Sequence, residues 1–191
     1  MTIGFALTGS YCTYSQIFPV MELLCRDYQV TPIFSFNAVS TDSRFGSARE
    51  HIAAAEELCG MKPMTTISDV EPIGPKKLFD ILVIAPCTGN TLAKLAHGIA
   101  DTPVTMAAKS QLRNGRPVLI AVSTNDGLAA AAENIGRLMS RKHYYFVPFG
   151  QDDPKSKPTS MVADFDLLLP TLEVALEGRQ LQPVLVNKST N

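Results

Sequence analysis

The chain has 191 residues, of which 46% are hydrophobic and 18% charged, enough apolar material for a sizeable core and too much for a disordered segment. With 17 Lys plus Arg against 18 Asp plus Glu, and no stretch that gathers positive charge into a stripe, no nucleic-acid partner is expected. Met1-Thr2-Ile3-Gly4-Phe5 has no basic leader before its apolar run, and that run is too short to span a bilayer, so no membrane contact and a cytoplasmic address are expected.

Strand and helix signals alternate along the chain. Ile3 to Leu7 is a short apolar strand that runs into Thr8-Gly9-Ser10, and Ile17, Val20, Met21 and Leu24 then recur at helical spacing. Val30 to Phe36 reads as a second strand. Pro32 cannot donate to a ladder and so places it at an edge, or starts it just after the proline. Ser47 and Glu50 have capping-box spacing, and they open an alanine-rich helix through Cys59 with Gly60 as its stop and Ile52, Ala55 and Leu58 as its apolar face. Met61 to Lys77 is punctuated by Pro63, Pro72, Gly74 and Pro75 and predicts a loop with at most one short strand.

Ile81 to Ala85 is continuously apolar, as a strand buried on both faces requires, and Pro117 to Val122 repeats the pattern. Helices are predicted over Thr91 to Ala100, Val104 to Leu112, Ile135 to Met139 and Thr171 to Leu176, with a further short strand over Tyr144 to Val147. Parallel strands joined by crossover helices form a doubly wound, flavodoxin-like α/β fold. Three α/β/α layers are expected, in a single domain over residues 1–191, with Ile3–Leu7, Ile81–Ala85 and Val118–Val122 at the centre of a parallel sheet.

Cys12, Cys25, Cys59 and Cys87 lack CxxC spacing and are read as reduced. His51, His97 and His143 do not complete a zinc site with them, so no metal is expected. Ligands of open α/β sheets bind beyond the carboxyl ends of the strands, which directs attention to two turns. Thr8-Gly9-Ser10 joins a glycine that permits a tight turn to hydroxyl and amide donors that could hold an anion, although an ordinary βα turn has the same composition. It is neither GxGxxG nor GxxxxGK[ST]. Pro86-Cys87-Thr88-Gly89-Asn90-Thr91 ends the most buried strand and opens a helix, where Asn90 could bind a ligand or merely cap.

Pro86 to Asp101, PCTGNTLAKLAHGIAD, resembles the P-x-S-A-N-T-x-A-K-x-x-x-G-x-A-D signature of the homo-oligomeric flavin-containing cysteine decarboxylase family. The resemblance implies FMN, with Gly9, Ser10, Thr88, Asn90 and Thr91 at flavin-binding positions and Ser35, Asn37 and Asn125 beside them. It also implies a homo-oligomer built from trimers. Thr8-Gly9-Ser10 with Cys12-Thr13-Tyr14, Ser40-Thr41 with Arg44-Phe45-Gly46, Ser123-Thr124-Asn125-Asp126 and Pro148 to Pro154 resemble a narrower branch over nearly the whole chain.

Members of that branch are the smaller of two chains in oxidoreductases that make the pyridine-2,6-dicarboxylate of the spore core. For this chain that implies a larger partner, the A subunit, carrying NADP, and a dicarboxylate substrate for which Arg44, Arg113 and Arg116 offer guanidinium forks. No catalytic residue is assigned. The decarboxylases' histidine falls at Pro72, only Asn125 survives of their P-x-M-N motif at Val122-Ser123-Thr124-Asn125, and Gln151 to Pro158 replaces their glycine-rich flap. A flavin-free scaffold for the A subunit and an independent FMN-dependent decarboxylase stay open as alternatives.

Overall fold

In the computed structural model, residues 1–187 are described. Strands β1 (Thr2–Leu7), β2 (Gln29–Phe34), β3 (Ile81–Cys87), β4 (Val118–Thr124) and β5 (Tyr144–Phe146) pair in parallel in the order β2-β1-β3-β4-β5. The three runs expected at the centre are there, and β3 is buried along its whole length. The sheet is not wholly parallel, however. Strands β6 (Phe149–Gly150) and β7 (Met161–Ala163) extend it antiparallel, β7 taking the upper edge of β4 at Ser123 and Thr124, where β5 has already ended. Two- and three-residue strands carry no period that a sequence could display.

Helices α1 (Tyr14–Asp27), α3 (Ala48–Cys59) and α9 (Leu168–Leu176) cover one face. The other is covered by α6 (Gly89–His97), α7 (Pro103–Arg113) and α8 (Ala132–Met139). The α3 capping box forms as expected: Ser47 Oγ accepts from Glu50 N, and the Glu50 carboxylate accepts from Ser47 N at 2.8 Å. His51 joins Ala48 and Ala55 on the buried face, while Ile52 and Leu58 are only half buried.

Pro32 lies in the edge strand, paired with Phe5, and its carbonyl accepts from Met64 N at 2.9 Å on the outer side. The donor that proline lacks therefore faces away from β1. Strand β2 stops at Phe34 instead of Phe36, because Ser35 turns the chain into the short helix α2 (Phe36–Ser40). The expected loop from Met61 contains two more helical turns, α4 (Ile67–Val70) and α5 (Ile73–Lys76). The first is opened by a Thr66–Asp69 capping box that the surrounding prolines obscured.

Cys25 on α1 and Cys59 on α3 lie thiol to thiol at 3.3 Å. Burial is the main cause pushing both thiols above their ordinary range, so both stay protonated at neutral pH. A mild thiol oxidant is expected to join them in a single disulfide, slowly at neutral pH and faster in alkali, because the thiolate is the attacking species. Peptide mapping under non-reducing conditions checks this, and a disulfide involving Cys12 instead would contradict the packing of α1 on α3.

Candidate functional site

The strand order reverses between β1 and β3, and the site is built on that reversal. Thr8, at the end of β1, is buried. Its hydroxyl donates to the Pro86 carbonyl at 2.6 Å and accepts from Thr88 N at 3.1 Å. Tyr14 Oη donates to the Thr8 carbonyl at 2.9 Å, so the two turns and the start of α1 are tied to one residue. The Ala85–Pro86 peptide is cis, and the β3–β4 register shifts between Ile84 and Cys87 as the strand leaves the ladder.

Two adjoining cavities open above this junction and share Gly9 and Thr88. One, of about 280 Å³, brings Ser35, Asn37, Asn90 and Thr91 together with Lys94. The other, of about 440 Å³, is lined by Ser10, Ser123, Asn125, Asp152 and Lys157 among others. All eight residues expected to surround a flavin therefore line one or other cavity. Ser35 Oγ caps α2, and Thr88 Oγ1 accepts from Thr91 N at 3.4 Å to cap α6. Asn90, in the first turn of α6, is exposed, and its carboxamide has no partner among the described residues. Lys94 is held by Asp101 at 2.8 Å, so its charge is already matched.

The turn after β1 is less free than its composition implies. The Ser10 amide donates to the Thr8 carbonyl at 2.8 Å, and its hydroxyl pairs with Ser123 Oγ at 2.7 Å. The Gly9, Tyr11 and Cys12 amides take no acceptor among the described residues and remain available. Gly89, alanine in the signature, has a structural reason to be glycine: a Cβ there would lie 2.8 Å from both Thr124 Oγ1 and Asp126 Oδ1.

The three arginines do not line these cavities. Arg44 is exposed and stacks over Phe45 at 4.8 Å. Arg116 reaches the Lys77 and Phe79 carbonyls and pairs with Asp80 at 3.6 Å, which fixes it at the amino ends of β3 and β4, opposite the site. Arg113 lies beside Gly74 at that same end. Arg113 ends α7 and Arg116 follows it, and the sequence shows the helix without showing which end of it faces the ligand.

His51 packs edge-on to Tyr14 at 4.8 Å, and burial lowers its pKa. His97 sits by Arg137 on the helical layer, at 3.4 Å. Cys87 is wholly buried, and burial pushes its thiol up, as a packing residue and not a nucleophile. No group of three metal-ligating side chains occurs among the described residues.

Sequence reasoning missed Tyr11, whose hydroxyl donates at 2.7 Å to the carbonyl of Asn37, a lining residue of the first cavity. It also missed Ser123 and Lys157. The signal for both lay in the resemblance: Ser123 falls in the Val122–Asn125 stretch at the P-x-M-N motif, and Lys157 in the Gln151–Pro158 stretch that replaces the flap.

A doubly wound sheet with a polar pocket at its switch point defines a flavodoxin-like ligand-binding class. The Flavoprotein family pattern matches residues 1–164, and the chain belongs to that family. It is 51% identical over 185 residues to the B subunit of dipicolinate synthase from Bacillus subtilis strain 168, covering 96% of this chain and 92% of that one. The crystal structure of the corresponding dipicolinate synthase chain, again the B subunit, from Bacillus halodurans C superposes with a TM-score of 0.90 at 45% identity, covering 98% of this chain and 96% of that one. Burkholderia xenovorans DmrB, a cubic protein cage solved with FMN, shares the fold at a TM-score of 0.67 and 18% identity over 92% of this chain and 95% of that one. Among the described residues no helix is long and apolar enough to cross a membrane.

Proposed function

We propose that the chain is the B subunit of a dipicolinate synthase, acting with an A subunit in the oxidation of dihydrodipicolinate, or its hydrated precursor, to dipicolinate during spore formation. The observation that carries this reading is the 51% identity over 96% of the chain. The matched span of 185 residues takes in the carboxyl-end loops, where function diverges most readily within a shared fold. The NADP site belongs to the A subunit in this reading. The chain assembles as a homo-oligomer built from trimers in the cytoplasm of the mother cell.

The paired cavities fit FMN. They combine the unpaired amides of Gly9 and Cys12 with the carboxamides of Asn37 and Asn90 and the hydroxyls of Ser35, Thr88 and Thr91. When bound, the flavin would supply a two-electron acceptor. This chain's part is to cradle it, with Asn90 and the Gly9 turn as its principal donors and Thr8 holding the two turns together. One observation favours the flavin-free scaffold as a second reading: the Ser10 amide and hydroxyl are both already engaged within the protein.

The reading is tested in a sporulating bacterium whose own copy of this component has been deleted. Expression of this chain is expected to restore dipicolinate to the spores. Spores that stay empty of it, with the chain present and folded, would refute the assignment.

A further inference from the structure

The larger cavity contains a pair of charges that the flavin reading leaves unused. Its wall is formed by the carboxyl ends of β1 and β4, by β7, and by the loop after β6 that carries Asp152 and Lys157. Lys157 is the one basic residue among the cavity's lining. Its Nζ lies 3.6 Å from Asp152 Oδ2, leaving it more than half exposed and open to a second anion. Asp152 Oδ1 is enclosed, yet has no hydrogen-bond donor among the described residues. The carboxylate, about 29% exposed, therefore meets the cavity through Oδ2, whose only partner among the described residues is Lys157 at 3.6 Å, and a carboxylate so poorly satisfied is rare and costly; a ligand hydrogen on Oδ2 would relieve it. The neighbouring Ser10–Ser123 hydroxyl pair and the Asn125 carboxamide complete a polar wall with no other charge on it.

Resting on the dipicolinate synthase reading, we propose that this cavity is the substrate subsite. Lys157 pairs with a carboxylate of a cyclic dicarboxylate, and Asp152 accepts a hydrogen carried by the ring, either a hydroxyl or a protonated ring nitrogen. The aromatic product presents a bare nitrogen lone pair and no ring donor, so the Asp152 carboxylate gains nothing from it and repels it at close range. The site thereby favours the hydrated or protonated ring over the product and assists product release. The volume, about 440 Å³, leaves room for a six-membered ring with two carboxylates beside the part of a flavin that extends past Gly9 and Thr88 from the adjoining cavity.

The test is calorimetric titration of the full chain in metal-free buffer with two probes, dipicolinate and its 4-hydroxy derivative, which carries a ring donor in either tautomer. The wild type is expected to prefer the 4-hydroxy compound by about tenfold, the scale of one charge-assisted hydrogen bond. Asp152→Asn should erase that preference and tighten dipicolinate, since an amide can donate to the ring nitrogen. Lys157→Met should weaken both probes by about tenfold or more. Equal binding of the two probes by the wild type, an unchanged preference in Asp152→Asn, or no weakening in Lys157→Met would overturn the proposal. So would the failure of either probe to bind. Dipicolinate formation by the wild-type chain with its A subunit is measured in parallel. Product formed without these binding patterns removes the subsite and leaves the function, whereas no product removes the function itself.

Discussion

Phe5→Ala is expected to lower the unfolding free energy by about 3–5 kcal/mol, the usual cost of emptying an aromatic site in a core that cannot collapse around the gap. Phe5 is fully buried in the middle of β1, with Pro32 of β2 on one side in the ladder and Val83 of β3 on the other. β1 carries the Thr8 junction at its end, so loosening this strand disturbs the site as well as the core. Against a typical stability of about 5–15 kcal/mol the loss is severe. Calorimetry should show the melting temperature falling by about 6–20 °C, the scale for a domain of this size. A fall of only a degree or two would mean that β1 is not central.

Asn90→Ala is expected to weaken flavin retention by about 1–3 kcal/mol, a factor of about 5–150, because a buried ligand atom would lose its donor. The protein itself loses nothing: the carboxamide is exposed and makes no bond within the described chain, so the melting temperature should not move. Gly9→Val is its companion. A Cβ at Gly9 meets Tyr11 Oη at 3.6 Å and Asn37 Cβ at 3.8 Å, ordinary contacts that the fold tolerates, while the added side chain takes volume from both cavities. Ser10→Ala should cost the ligand less than either, since its amide and hydroxyl are already bonded within the protein. Quenching of FMN fluorescence on titration measures all three. Unchanged retention in Asn90→Ala would remove that residue from the site.

The central strands were legible because burial on both faces leaves an unbroken apolar run, as at Ile81 to Ala85. The α3 start was legible because Ser47 and Glu50 display their reciprocal bonds in their spacing. The β6–β7 extension was not, because its strands are too short for a period and exist through pairing with Ser123 and Thr124, nearly forty residues away in the chain. Within the site, Gly9, Thr88, Asn90 and Thr91 could be named from two turns that both follow buried strands. The arginines could not be placed, because a guanidinium's chemistry is the same at either end of a helix. Only the ladder shows that Arg116, next to Asp80, stands where β3 and β4 begin. Lys157 eluded notice for a related reason: its loop is polar throughout, and only the fold brings it to Ser10 and Ser123.

The most direct measurement is dipicolinate formation by the two purified proteins, followed by the product's ultraviolet absorbance with dihydrodipicolinate generated in place. The chain and an A subunit together, with NADP, are expected to form dipicolinate faster than the A subunit alone, and the chain alone is expected to form none above the spontaneous rate. An A subunit that works equally well without this chain would contradict the account.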